Sequence, residues 1–262
     1  MLQKKREVHD DKLGKLYFPK NDNVMAPSIA VNGNWEPREI QWLENNVKLE
    51  SRCLNVGANI GYFTILMSLL SGPNGIVFAF EPNPDLKWFL NKNIKMRAFK
   101  NIQVLYLAAG EKNSSKFFYK NRNNFGDGRM FDPRITSGGG TWQSFGFDSR
   151  IPKTKVKVKR IADLGLGQID VALIDAQGFD HFVLRGMDLR NNHRPKILTE
   201  FVPEWIKSQG DNPVEILKEY KSWGYSVESI DFPELNALSE KDLIEGISEL
   251  GHYFTNLALI PR

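Results

Sequence analysis

A single cysteine, Cys53, among 262 residues excludes an intramolecular disulfide. Its neighbours Leu54 and Val56 mark it as a small apolar residue of a buried strand. No apolar run approaches the ~20 residues that a membrane span needs. The opening MLQKKREVHDDK also lacks the apolar core of a signal peptide, so the cytoplasm is the expected location. Charge of one sign is scarce: 35 Lys and Arg against 31 Asp and Glu leave a net charge of +4, short of the clustered charge of a dedicated nucleic-acid binder. Such a balance tolerates an anionic substrate without requiring one. Internal repeats and low-complexity segments are missing too. What the chain does have is 41% hydrophobic residues, ample for a sizeable core, and one α/β domain with additions is the simplest fit.

Residues 1–24 alternate charges around Leu16 to Phe18 and read as a tail with one short docked segment, ahead of a single α/β domain over 25–262. Ile40, Leu43 and Val47 fall at helical spacing after Pro37, with Glu36 just outside the helix start. Continuous apolar strands are expected at Arg52 to Val56, Ile76 to Phe80 and Ile102 to Ala108, separated by helices bearing Phe63, Leu66, Met67 and Leu70, then Leu86, Phe89, Leu90 and Ile94. This βαβαβ order implies a parallel sheet covered on both faces. SKFFYK reads as a short extra strand. An inserted loop over about 121–150 then carries six glycines, the aromatics Phe125, Phe131, Trp142, Phe145 and Phe147, and four arginines, Arg122, Arg129, Arg134 and Arg150. A loop of that length inside a domain is either functional or a solvated insertion. Its arginines and aromatics would suit closure over a ligand that stacks and carries phosphate or carboxylate. In KTKVKVK the lysines at 153, 155, 157 and 159 share one face, as a basic groove or, the preferred reading, as guards of a solvated edge strand. Further strands are expected at Asp170 to Ile174, Lys196 to Phe201, Tyr225 to Ile230 and Tyr253 to Ile260. The last two form a hairpin-like pair, for seven strands in all.

The organising stretch is CLNVGANIGYF, from Cys53 to Phe63, followed by FAFEPNP, from Phe78 to Pro84. A buried strand, a glycine turn and a helix start, followed by a strand ending in an acid, make the layout of a nucleotide-type cofactor site. Gly57 and Gly61 let backbone approach a ligand, the helix start offers unpaired N–H groups, and Glu81 can accept from both hydroxyls of a ribose. A dinucleotide turn would read G-x-G-x-x-G. Here Gly57, Asn59 and Gly61 are each one residue apart, which argues against a nicotinamide oxidoreductase.

LNVGANIGYFT, VFAFEPNP, the AAGE at Ala108 to Glu111, VALIDAQGFDHFVLRGM and PKILTEF, in that order, resemble the FkbM family of S-adenosylmethionine-dependent methyltransferases from about Trp35 to Phe201. The resemblance implies a class I methyltransferase fold, a Rossmann-like, seven-stranded, mostly parallel sheet with helices on both faces. It also implies O-methylation of a hydroxyl on a sugar, glycan or natural product. By the same resemblance Gly57, Ala58, Asn59 and Gly61 wrap the methionine end of S-adenosylmethionine, with Tyr62 and Phe63 nearby. Glu81 takes the ribose, Pro82 and Asn83 shape the adenosine wall, and Ala108 and Ala109 flank the adenine. Glu36 meets the cofactor's amino group, and Asp175 sits nearest the methyl. Asn55 stands where the family has an acid, and Leu173, Gln177 and Asp180 stand where lysine and two glutamates are usual. Asn55 and Gln177 are retained as cofactor contacts, although Gln177 cannot accept a proton.

A hydroxyl nucleophile must be held about 3 Å from the methyl and must lose its proton. Asp175 and His181 are the expected catalytic pair. Each also has a structural reading, Asp175 as a helix cap and His181 as the donor of a local hydrogen bond. Asp175 and Glu200 end neighbouring strands, but two carboxylates do not make a metal site, and none is assigned. A small-molecule or glycan acceptor is expected. The alternative is a methyltransferase fold that has lost its chemistry and binds RNA or a nucleotide through the loop arginines and the lysine strand.

Overall fold

A computed structural model describes residues 5–135, 151–190 and 193–262. In chain order the elements are strands β1 (Lys5–Asp10) and β2 (Gly14–Pro19), helices α1 (Met25–Asn32) and α2 (Pro37–Asn46), β3 (Arg52–Val56), α3 (Tyr62–Ser71), β4 (Ile76–Phe80), α4 (Lys87–Lys95), β5 (Ile102–Leu105), β6 (Ala108–Ala109), β7 (Ser114–Tyr119), β8 (Lys153–Lys159), β9 (Val171–Ile174), α5 (Asp180–Gly186), β10 (Lys196–Phe201), α6 (Pro203–Ser208), α7 (Pro213–Ser222), β11 (Tyr225–Ser229), α8 (Glu240–Glu249) and β12 (Thr255–Pro261). Seven of the strands form one sheet in the order β11-β12-β10-β9-β3-β4-β5. β5, β4, β3, β9 and β10 run parallel. β12 enters antiparallel between β10 and β11, so the sheet is mixed, and the last two strands are neighbours separated in sequence by α8 rather than joined as a tight hairpin. Strand alternation divides the core. Leu54 and Val56 pack with Phe78, Phe80, Val183 and Tyr220 on one face, while Cys53 packs with Val77, Ala79, Ile65 and Leu66 on the other.

Three expectations are corrected. The third strand stops at Leu105. Ala108 and Ala109 leave the main sheet and pair with Val158 and Lys159 in a three-stranded sheet, β6-β8-β7. The lysines of β8 do lie on its more exposed face, but β7 pairs with the whole strand and β6 with its end, so only its first part has an open edge. Finally, residues 5–19 are not a tail with one docked segment. They form the β1–β2 hairpin, whose Leu16 and Phe18 are fully buried and belong to one apolar cluster with residues of α1, α3 and α4.

The hairpin, a separate two-stranded sheet, is also bonded to α3 and α4. Asn93 on α4 accepts from the Tyr17 amide and donates to the Tyr17 and Ile60 carbonyls. The buried Asp10 carboxylate accepts from the amides of Lys12 and Leu13 through Oδ1 and from the Tyr62 hydroxyl through Oδ2 at 2.7 Å. The same hydroxyl accepts from the Trp35 amide. Tyr62→Phe strips a partner from a buried carboxylate and from an amide, so it should lower unfolding stability by about 1–3 kcal/mol. A urea titration reads this out, and an unchanged midpoint would count against it. Among the described residues no helix is long and apolar enough to cross a membrane.

Candidate functional site

The glycine turn sits at the carboxyl ends of β3, β4 and β9, the edge where open α/β sheets bind ligands. The Gly57 and Ala58 amides both donate to the Phe80 carbonyl, and the Asp175 amide donates to the Val56 carbonyl, so three strand tips are tied together. Gly57 has φ +88°, and a Cβ there would lie 1.9 Å from the Asp175 carbonyl oxygen. The neighbouring strand's backbone therefore requires this glycine on its own account. At Gly61 (φ +97°) a Cβ would press on Leu90 of α4 at 2.9 Å, so this glycine serves helix packing.

Two cavities open at this edge. The first is lined by Gly57, Asn59, Glu81, Pro82, Ala108 and Ala109, with Phe118, Met130, Asp175, Gln177 and Phe179 among the further walls. Glu81 follows β4 and is buried. Its Oε2 accepts from the Asn59 amide and its Oε1 from the Asn83 amide, both at 2.7 Å. Each carboxylate oxygen keeps a second acceptor site, which is what a ribose diol would need. Burial pushes the Glu81 carboxyl up to about 7, and the two backbone bonds hold it from rising further.

The second and larger cavity is bounded by Trp35, Glu36, Glu39, Phe63, Asp127, Arg129, Glu200, Trp205 and Asn256, among others. Four residues, Asn59, Gly126, Asp175 and Gln177, line both cavities and form the boundary between them. Asp175 is fixed there, because its Oδ1 accepts from Gln177 Nε2 at 2.6 Å. Burial raises its pKa, and the Gln177 side chain and backbone oppose that rise. Glu36 lies at the start of α2 with φ 47°. Its carboxyl is raised well above the usual range by burial, and then by the charges of Glu39 and Asp175. Glu39, which accepts from Asn256 Nδ2 at 2.5 Å, is pushed up to about 7, chiefly by burial.

The structure thus gathers Glu36, Gly57, Asn59, Phe63, Glu81, Pro82, Ala108, Ala109, Asp175 and Gln177 around the two cavities. The other expected residues lie behind them. Asn55 shares the face of Cys53, and its Nδ2 donates to Thr64 Oγ1 of α3 at 2.8 Å, which ties strand to helix. Ala58, Gly61 and Tyr62 build the turn and its packing. Asn83 supports Glu81 through its amide and accepts from the Asp85 amide. His181 is on neither wall: it is buried on α5, with Nε2 3.3 Å from Asp211 Oδ2. Burial drives its pKa down to about 4 against the pull of that carboxylate, so the ring is neutral near pH 7, and it lines neither cavity. The helical phase of α5 turns it away from Asp175.

Several wall residues escaped the sequence reading. Phe118, Met130 and Phe179 enclose the first cavity, and Glu39, Asp127, Trp205 and Asn256 the second. Of the inserted loop, 121–135 is described and supplies Phe125, Gly126, Gly128 and Met130 to the first cavity. Trp142, Phe145, Phe147 and Arg150 lie outside the described residues. Arg122 is exposed, Arg134 is paired with Asp132, and Arg129 is fully buried, its Nε donating to Asp127 Oδ1 at 2.7 Å. Among the described loop arginines, only Arg129 reaches a cavity wall.

Residues 55–227 match the family model described as Methyltransferase FkbM domain. The chain is 24% identical over 198 residues to Methyltransferase 1 of Beauveria bassiana (strain ARSEF 2860), a match that spans 70% of this chain and 76% of that protein. Over 75 residues it is 31% identical to the protein-L-isoaspartate O-methyltransferase of Caenorhabditis elegans, 29% of this chain and 31% of that one. Among solved structures it is similar to TYW2 of Pyrococcus horikoshii in complex with MeSAdo, with a TM-score of 0.46 and 12% identity over 98% of this chain and 70% of that one.

Proposed function

Since the chain belongs to the FkbM methyltransferase family, we propose that it transfers the methyl group of S-adenosylmethionine to a hydroxyl of a sugar, glycan or other small natural product. Methyl transfer dependent on S-adenosylmethionine follows from the family, and the sheet order is that of the class I methyltransferases. The hydroxyl acceptor is our reading. The observation that carries it is the boundary at Asn59, Gly126, Asp175 and Gln177, where a cavity suited to an adenosine meets a larger one suited to an acceptor.

The residues of the first cavity fit S-adenosylmethionine. Glu81 presents two free acceptor positions, and Ala108 and Ala109 leave room for a flat ring. In this reading Glu81 holds the ribose, Gly57 and Asn59 line the methionine end, and Glu36, across the boundary in the second cavity, receives the amino group. Bound there, the cofactor supplies an electrophilic methyl on a sulfonium. Asp175 accepts the proton of the acceptor hydroxyl, and Gln177 fixes the carboxylate through Oδ1. Gln177 is then a positioning residue, and it need not be a base. His181 takes no part.

Glu81 gives the reading a pH dependence. Ribose hydroxyls donate, so the ligand selects the carboxylate over the acid. With the free carboxyl at about 7, affinity is full above pH 7 and falls as pH drops below it, by about tenfold per unit at most. Calorimetry with S-adenosylhomocysteine should show clearly weaker binding at pH 6 than at pH 8. Equal affinity at both would remove Glu81 from the ribose. Transfer of tritiated methyl from S-adenosylmethionine to hydroxyl-bearing acceptors tests the reaction itself, and a product methylated only on carbon or a carboxyl group would refute the hydroxyl assignment.

A further inference from the structure

The second cavity is far more acidic than the chain that forms it. Its wall carries Glu36, Glu39, Asp127, Asp175 and Glu200, with Arg129 as the described base, although the chain as a whole has a net charge of +4. The sheet lines several of these groups up. Thr199 pairs with Ile174, so Glu200 stands beside Asp175 at the tips of β10 and β9. On its other side Glu200 pairs with Asn256, and Asn256 holds Glu39. Asp175, Glu200 and the Asn256–Glu39 pair therefore form a row across three strands.

Three further observations say what this row awaits. Glu200 Oε2 is buried and has no hydrogen-bond partner among the described residues, which leaves an acceptor on the cavity wall unmatched. Among the same residues no group of three or more carboxylate, histidine or cysteine side chains is arranged to hold a metal ion. The wall also shows how it accommodates a cation. The Arg129 guanidinium is 3.9 Å from the Trp205 ring centroid with its Nε on Asp127, one carboxylate and one indole sharing one positive charge. Trp35 and Phe63 line the same cavity as Glu36 and Glu39. S-adenosylmethionine, with two positive groups and one negative, balances only part of five carboxyls. A neutral acceptor would leave the rest to be silenced by protonation, and an anionic one would add repulsion.

We propose that the acceptor bears a protonated amine as well as the hydroxyl that is methylated, and that the amine docks on the Glu200 side of the second cavity, with Glu39 beside it. The proposal rests on the reading of that cavity as the acceptor site. It disfavours phosphorylated acceptors and nucleic acid, whose phosphates would face this row.

The test uses the full chain saturated with S-adenosylhomocysteine and titrated calorimetrically with glucosamine, glucose and glucose 6-phosphate, which differ mainly in charge. Glucosamine should bind about tenfold or more tightly than glucose, with glucose 6-phosphate weakest of the three. Glu200→Gln should bring glucosamine down to the level of glucose while S-adenosylhomocysteine still binds, and Glu39→Gln should move it the same way by a smaller factor. Glucose binding as well as glucosamine, tighter binding of the phosphate, no binding of any probe, or an undiminished amine preference in Glu200→Gln would overturn the proposal. Failure of the wild type to bind S-adenosylhomocysteine would instead overturn the cofactor reading beneath it.

Discussion

Glu81→Ala should weaken S-adenosylhomocysteine binding by at least about tenfold, and toward a hundredfold, because two hydrogen bonds to one charged group disappear together. The Glu81 carboxylate sits with each oxygen already anchored by a backbone amide, from Asn59 on one side and Asn83 on the other. That bracing orients the remaining acceptor positions before any ligand arrives, so little is spent on ordering the side chain. Truncation also leaves the two amides without their partner in a buried turn. Glu81→Gln separates the contributions: it keeps one acceptor oxygen and loses the charge, and should fall between wild type and Ala. A calorimetric series in which Ala binds as tightly as wild type would mean that the first cavity does not hold the ribose.

Gly57→Ala is the second large effect, and it acts on both cavities. A methyl at that position points at the Asp175 carbonyl oxygen, 1.9 Å away and part of the backbone, so no side-chain rotation relieves the clash. The left-handed φ of +88° adds its own penalty for any residue with a Cβ. To relieve the contact, β3 and β9 must part at their tips, which breaks the bond from the Asp175 amide to the Val56 carbonyl. We expect a loss of about 3 kcal/mol, or roughly 6–12 °C in Tm for a chain of this size, together with loss of S-adenosylhomocysteine binding. Gly165→Ala provides the comparison. Its φ is +61°, but nothing lies within 4 Å of the added carbon, so it should cost only about 1 kcal/mol and leave binding intact. Equal melting temperatures for the two variants would refute the strand-tip account.

The consequences reach the chemistry through Asp175. It borders both cavities, its Oδ1 is held by Gln177, and its backbone closes the β3–β9 edge. Substitutions in the glycine turn therefore disturb the proposed base as well as the cofactor, and loss of turnover alone would not separate the two. Stability and binding measured side by side do.

The amino-acid sequence by itself determined the parallel core, the glycine turn and the acid at the end of the second core strand, because each depends on neighbours a few residues apart. Apolar runs of strand length, glycines where φ is positive, and Glu81 directly after Phe80 are local signals. The place of Asn55 was not legible in this way: expected at the cofactor, its side chain donates to Thr64 of α3. Only the tertiary structure decided the rest. The hairpin over residues 5–19 is held by Asp10 to Tyr62 and Tyr17 to Asn93, contacts between segments far apart in sequence that carry no local periodicity. β12 inserts between β10 and β11, an arrangement invisible in strand order alone. His181 and Asp175 lie six residues apart, yet the phase of a short helix sends one to Asp211 and leaves the other at the cavity boundary. The row of Asp175, Glu200 and Asn256 with Glu39 joins three strands and a helix. Sheet register sets their convergence, and register is fixed by packing across the whole fold.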